Sequence, residues 1–230
     1  MKLKDRNLFM STFDHSRYFD ASQDEIDPEI GAAKNLRGVR GGLILSENPE
    51  YSSKLNSSVF QGVQESVMMN ALAAKAVCLR GALRPEFKKY AHAVLENARG
   101  LAATLIDRGV EVVPGGTDTP LLLIDLRPKG LSGAEASESL ERAGLTFNKN
   151  SIPGDTQPPT VTSGLRFGVS AGTTCGFGKE EFSMIGNWIA DVVSAVEAKS
   201  SKQGDIESSI LAEVKVLTER FPIYGSSKII

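Results

Sequence analysis

Apolar side chains recur at three- and four-residue steps through Phe87, Tyr90, Ala91, Val94, Ala98, Leu101 and Leu105, which predicts one long helix with a single inward stripe. Pro85 fits its first turn, because the N–H that proline lacks would be unpaired there. Upstream, Val59 to Leu83 reads as largely helical, with an Ala-rich stretch NALAAKAVCLRGAL, and the preceding NPEYSSKLNSS supplies turn and cap residues. Beyond Gly109 the period shortens. VEVV at 110–113, LLLIDL at 121–126, LTF at 145–147 and GLRFGV at 164–169 read as short strands, and GLILS at 42–46 as another. A helix is predicted from Ser132 to Ala143, and two closing helices near 179–198 and 205–220 flank the polar link KSSKQG.

Strands alternating with helices argue for a small α/β or α+β layer. Residues 1–30 hold neither period and read as an irregular lead-in. A boundary within residues 80–110, drawn at 108/109, divides a front piece of 31–108 from a back domain of 109–230.

Composition narrows the function classes. A chain of 230 residues with 41% hydrophobic and 23% charged content is ordinary for a globular protein. A net charge of -2 gives no broad basic field for nucleic acid or an acidic membrane surface, so any anion site must be local. No segment reaches bilayer length, and the charged start MKLKDRNLFMSTF lacks the apolar run of a secretory signal. Two cysteines, Cys78 and Cys175, set no framework of spacings; free thiols in the cytoplasm are expected, a single disulfide staying open. No metal site is expected.

Chemistry concentrates in loops. Within AAKNLRGVRGGLIL, Lys34 can be a surface charge, a phosphate contact or a covalent anchor for a cofactor. LRGVRGG offers guanidinium groups and glycines that let backbone N–H groups approach an anion, and equally reads as an exposed basic turn. An RNA contact of the Arg-Gly-Gly type is disfavoured by the single triplet and the acidic balance.

Read together, KNLRGVRGGLIL, KAVCLRGALRPEFKKYAHAVLENARGLAATLIDRG, GGTDTPLLLIDLRPKGLSGAEASESLERAGLTFNKNSIPGDTQPPTVTSGLRFG and ERFPIYG resemble the serine hydroxymethyltransferase (glycine hydroxymethyltransferase) family, in family order, across residues 34 to 224. The resemblance implies an α/β fold of the pyridoxal-phosphate fold-type I class, here the end of the large domain followed by the small C-terminal domain. By the same resemblance, Lys34 matches the lysine that forms the Schiff base with pyridoxal 5'-phosphate, and Arg40 matches an arginine of the loop after it. Arg166 matches the arginine that takes the carboxylate of serine or glycine, a role suited to the planar guanidinium fork. Asn150 matches an asparagine near the folate. The implied reaction is reversible one-carbon transfer between serine and tetrahydrofolate, giving glycine and methylene-tetrahydrofolate. In the sequence, Val59, Phe60, Val63, Val67, Met68 and Met69 would leave an apolar surface exposed in a monomer, so homo-oligomerisation or association with other chains is expected.

The chain departs from the family pattern at four places. The large-domain portion ahead of the family's lysine, with the aspartate on the pyridine nitrogen and the histidine on the ring, has no match in residues 1–30. The family's His-Lys-Thr reads Ala33-Lys34-Asn35, its Gly-Gly-Pro reads Glu65-Ser66-Val67, and its Thr-Thr-Arg-Gly reads Thr173-Thr174-Cys175-Gly176. A carboxylate in place of a backbone cradle repels a phosphate dianion. Impaired activity, or a non-catalytic remnant that keeps the small-domain fold, is the expectation for this truncated chain.

Overall fold

The computed structural model describes residues 46, 48–63, 66 and 68–223, the side chains of residues 61 and 63 excepted. Helix α1 spans Pro49–Ser57, α2 Met69–Ala82, α3 Pro85–Asp107, α4 Gly133–Arg142, α5 Ser170–Cys175, α6 Lys179–Glu197 and α7 Gln203–Arg220. Strands β1 Glu111–Val113, β2 Leu121–Asp125, β3 Asn148–Asn150 and β4 Gly164–Gly168 form one sheet in the order β1-β2-β4-β3, every pair antiparallel.

The alternation of the strands decides which face is covered. Val112, Leu122, Ile124 and Leu165 point to one side and are buried beneath the helices. Helix α3 buries Phe87, Val94, Ala98, Leu101 and Leu105, with Tyr90 and Ala91 half-buried, as its period predicts. Its buried stripe enters the same core as residues 110 to 217. α3 and α6 approach closely at Gly186, where an added Cβ would lie 2.8 Å from Thr104 Cγ2. Arg108 closes the rim of this pair by donating to Asn187 Oδ1 at 2.5 Å and Asp191 Oδ1 at 2.6 Å.

Helix α4 starts on a capping box. Ser132 Oγ accepts from Glu135 N at 3.2 Å, and Ser132 N donates back to Glu135 Oε2 at 3.0 Å. It is fastened to α7 by Glu207, a buried carboxylate that accepts from Ser139 Oγ at 2.5 Å, from Arg142 Nε and an Arg142 terminal nitrogen at 2.7 Å each, and from Gln203 Nε2 at 2.9 Å. Trp188 of α6 donates its indole N–H to Glu213 of α7 at 2.9 Å.

Several sequence expectations are corrected. NPEYSSKLNSS is mostly helix α1 rather than turn: Asn48 Oδ1 accepts from Glu50 N at 2.9 Å, Pro49 begins the helix, and Glu50 pairs with Lys54 at 2.6 Å. Val59 to Leu83 is not continuous. A π-helical segment occupies Ser58–Val63, Ser66 takes φ 55° in the left-handed region, and α2 restarts at Met69 from an extended Met68. LTF at 145–147 is not a strand. Gly144 ends α4 at φ 80°, Leu145 turns into the core with its N–H on Leu140 O, and pairing with β4 begins only at Asn148. Of the strand expected at 42–46, residues 42–45 lie outside the described residues and Ser46 is not in a strand. Cys78 and Cys175 are free thiols.

Candidate functional site

The face of the sheet turned away from the helices carries a different set of side chains. Register places Leu123, Arg166 and Asn148 in one row across β2, β4 and β3, and Asp125, Gly164 and Asn150 in the next. These rows share one face because residues two apart on a strand point the same way. Leu121 is 52% exposed on it, and Leu123 and Val113 are half-buried, so no described helix covers it; at the Asp125–Gly164–Asn150 end Ile152 of the following loop lies against it.

Arg166 stands exposed near the centre of this face, and its guanidinium makes no hydrogen bond or ion pair with any described residue. A guanidinium presented in this way is a ready bidentate partner for a carboxylate. Asn150 is half-buried on the neighbouring strand; its Nδ2 donates to Ser151 O at 2.7 Å, which leaves its Oδ1 as an acceptor. Sequence reasoning named both, and β3–β4 pairing brings them within one strand spacing and two residues of each other. Lys34 and Arg40 lie outside the described residues.

Two carboxylates frame the end of this face. Asp125 is buried; burial, the largest single influence, would raise its pKa, but the side-chain bonds, the backbone N–H and the charge of Arg127 together hold it below the ordinary value. Arg127 Nε donates to both Asp125 oxygens at 3.1 Å, a terminal nitrogen to Oδ2 at 2.7 Å, and the Arg127 N–H to Oδ1 at 2.9 Å. Asp155, in the loop between β3 and β4, is lowered to about 2, chiefly by the N–H of Gln157 and the hydroxyl of Ser163. Sequence reasoning did not single out Asp155, Ser163 or Asn148. The polar loop IPGDTQPP, with an acidic residue among turn formers, was the available signal for the first.

The Thr173-Thr174-Cys175-Gly176 run falls in α5 and its cap. Thr173 Oγ1 accepts from Asn97 Nδ2 at 3.0 Å, and Thr174 Oγ1 donates to Tyr90 Oη at 3.2 Å, so the two threonines serve to hold α5 on α3. Among the described residues no group of three or more His, Cys, Asp or Glu is placed to hold a metal ion, and no helix is long and apolar enough to cross a membrane.

Comparison with known proteins bears on the whole arrangement. The family model for serine hydroxymethyltransferase matches residues 29–189. Serine hydroxymethyltransferase 3 of Colwellia psychrerythraea is 52% identical over 192 residues, covering 84% of this chain and 44% of the relative. Serine hydroxymethyltransferase of Phenylobacterium zucineum is 53% identical over 192 residues with the same coverage, and that of a Marinomonas species is 49% identical over 191 residues, 83% of this chain and 45% of the relative. The chain spans less than half the length of these curated relatives.

Proposed function

This chain belongs to the serine hydroxymethyltransferase family, and from that premise we propose that the sheet face turned away from the helices is the amino-acid and folate side of a one-carbon transferase. Arg166 takes the carboxylate of serine or glycine and Asn150 meets tetrahydrofolate. The reaction is reversible transfer of the serine hydroxymethyl carbon to tetrahydrofolate, leaving glycine and methylene-tetrahydrofolate. The observation that carries this reading is an exposed guanidinium with no partner among the described residues, one strand and two residues from an amide acceptor on the same sheet face. The proposed division puts residues 31–108 with the large-domain end and 109–230 with the small domain, α3 joining the two through its buried stripe.

The family implies pyridoxal phosphate, with Lys34 and Arg40 as its proposed holders. Where the family has glycine in its phosphate loop, this chain has Ser66, an exposed side chain at φ 55°, next to Glu65 in sequence. A serine forced into a glycine conformation beside a carboxylate does not fit a dianion cradle. Activity of this chain alone is therefore proposed to be impaired.

An exposed arginine–carboxylate contact contributes about 1 kcal/mol or less. Serine is accordingly expected to bind this chain no tighter than the millimolar range by calorimetry. Arg166→Ala should remove that weak signal and leave thermal stability unchanged, because the guanidinium has no partner among the described residues. A micromolar serine affinity, or a visible pyridoxal phosphate band that survives dialysis, would overturn the proposed impairment.

A second reading, a non-catalytic interaction module, is favoured by one observation. Helices α1 and α2 bury no residue, while Phe60, Met68, Met69, Val77 and Leu83 are each at least 68% exposed. Apolar surface of this kind seeks a partner. Self-association at micromolar concentration is the expected result of sedimentation velocity, and a clean monomer that binds no hydrophobic dye would count against it.

A further inference from the structure

The loop from residue 151 to 163 joins β3 to β4 and has no regular structure. Loops of this length are uncommon in compact domains unless they serve a site. This one closes on Thr162-Ser163-Gly164, and each of the three has a different physical task. Ser163 bonds Asp155 twice, through its N–H at 2.9 Å and its hydroxyl at 2.7 Å. The same carboxylate accepts from Ile152 N at 3.3 Å and Gln157 N at 3.0 Å. One side chain thus ties the start, middle and end of the loop together. Thr162 is buried at φ 57°, a rare conformation for a β-branched residue, and is held there by Gly133 N on its carbonyl at 2.9 Å. Backbone kept in such a region by its surroundings clusters at working sites. Gly164 leaves no space for a Cβ, which would lie 2.5 Å from Ile152 Cγ2 and 3.0 Å from Asn150 O.

Resting on the reading of Arg166 and Asn150 above, we propose that Asp155, clamped on Ser163 and backed by Thr162 and Gly164, is the positioning residue that holds Asn150 in register with Arg166. One loop then sets both the folate-facing amide and the amino-acid-facing guanidinium. Asp155 touches neither ligand. It acts through Ile152 N–H, two residues after Asn150, and through Ser163, three residues before Arg166. A carboxylate suits the task because it is acceptor-only and has two oxygens for four donors. In Asp155→Asn, an NH2 group replaces one oxygen and faces donors.

The test uses the full chain, 15N-labelled, as wild type, Asp155→Asn and Ser163→Ala. In Asp155→Asn, amide exchange at residues 148–150 is expected to accelerate about tenfold relative to residues 111–113, with a shift of the Asn150 side-chain amide signals. Ser163→Ala, which loses only the hydroxyl bond, should show a smaller effect of the same pattern and serves if Asp155→Asn fails to fold. Titration with 5-formyltetrahydrofolate should move the Asn150 amide in wild type and require severalfold more ligand in Asp155→Asn. Unchanged β3 exchange in both variants, or equal acceleration of β1 and β3, would overturn the positioning role. A wild-type Asn150 signal that ignores the folate would instead refute the folate reading, and the exchange comparison would still decide the role of Asp155.

Discussion

Glu207→Ala is expected to lower stability by about 3 kcal/mol, because the change strips a buried acceptor from Ser139, Arg142 and Gln203 at once. The figure sits at the low end for a broken buried ion pair, since Arg142 is half exposed and regains water. For a chain of this size that corresponds to a fall of roughly 6–12 °C in Tm. Ser139 has no such recourse, being fully buried on α4. The pH dependence follows from the same contacts. The Arg142 guanidinium, with Ser139 and Gln203, holds the Glu207 pKa at about 2 against an ordinary 4.5. The folded state therefore prefers the ionised carboxylate; its stabilisation is complete above about pH 4.5 and is lost as the pH falls toward 2. Glu207→Gln should reduce the slope of the acid limb of the stability curve, the remainder being shared by Asp155 and the other carboxylates held below their ordinary values, Asp125, Glu135 and Glu50. Fluorescence of Trp188, the single tryptophan and itself bonded across the α6–α7 contact, reads the transition. An acid limb identical in wild type and Glu207→Gln would refute the assignment.

Gly164→Ala is expected to cost about 3 kcal/mol, the upper range for inserting one methyl into a packed site. The added carbon would meet Ile124 O at 2.6 Å and Asn150 O at 3.0 Å, as well as Ile152 Cγ2 at 2.5 Å. Two of these three are main-chain oxygens of the flanking strands, so no rotamer change relieves the contact and the sheet must spread on both sides of β4. Gly154→Ala is the matched control: it meets nothing within 4 Å and only forfeits a positive φ of 71°, so a loss of about 1 kcal/mol is expected. Urea titration of both variants measures the difference. Equal losses at the two positions would mean that the close approach at β4 is not the constraint described.

Much of this architecture was legible in the chain. The stripe of α3, the helix from Ser132 to Ala143 and the strand runs at 110–113, 121–126 and 164–169 all follow from period and turn chemistry. β3 was not, and its residues explain why. Asn148, Lys149 and Asn150 have no strand propensity; they are extended because β4 offers a partner, while the apolar Leu145 and Phe147 that suggested a strand are drawn toward the core. α1 was hidden by polar residues whose helix is stabilised locally, by Asn48 and by the Glu50–Lys54 pair. α5 is six residues long, too short to show a period. At the site, the resemblance pointed to Arg166 and Asn150, since such side chains sit in a recognisable string. Asp155 and Ser163 are eight residues apart, and the bonds that join them exist only once the loop has closed.

The ends of the sheet carry a last consequence. Its two outer strands, β1 and β3, are each three residues long, and β3 is wholly polar with Lys149 at its middle. An outer strand recruits another chain through its row of unpaired N–H and C=O groups, and cross-β stacking uses segments of about six residues. Three residues offer too short a template. Copies that meet through the exposed methionines and phenylalanine of the front helices have no comparable foothold for strand addition on the described sheet, so clustering and fibril growth are separable hazards in this molecule.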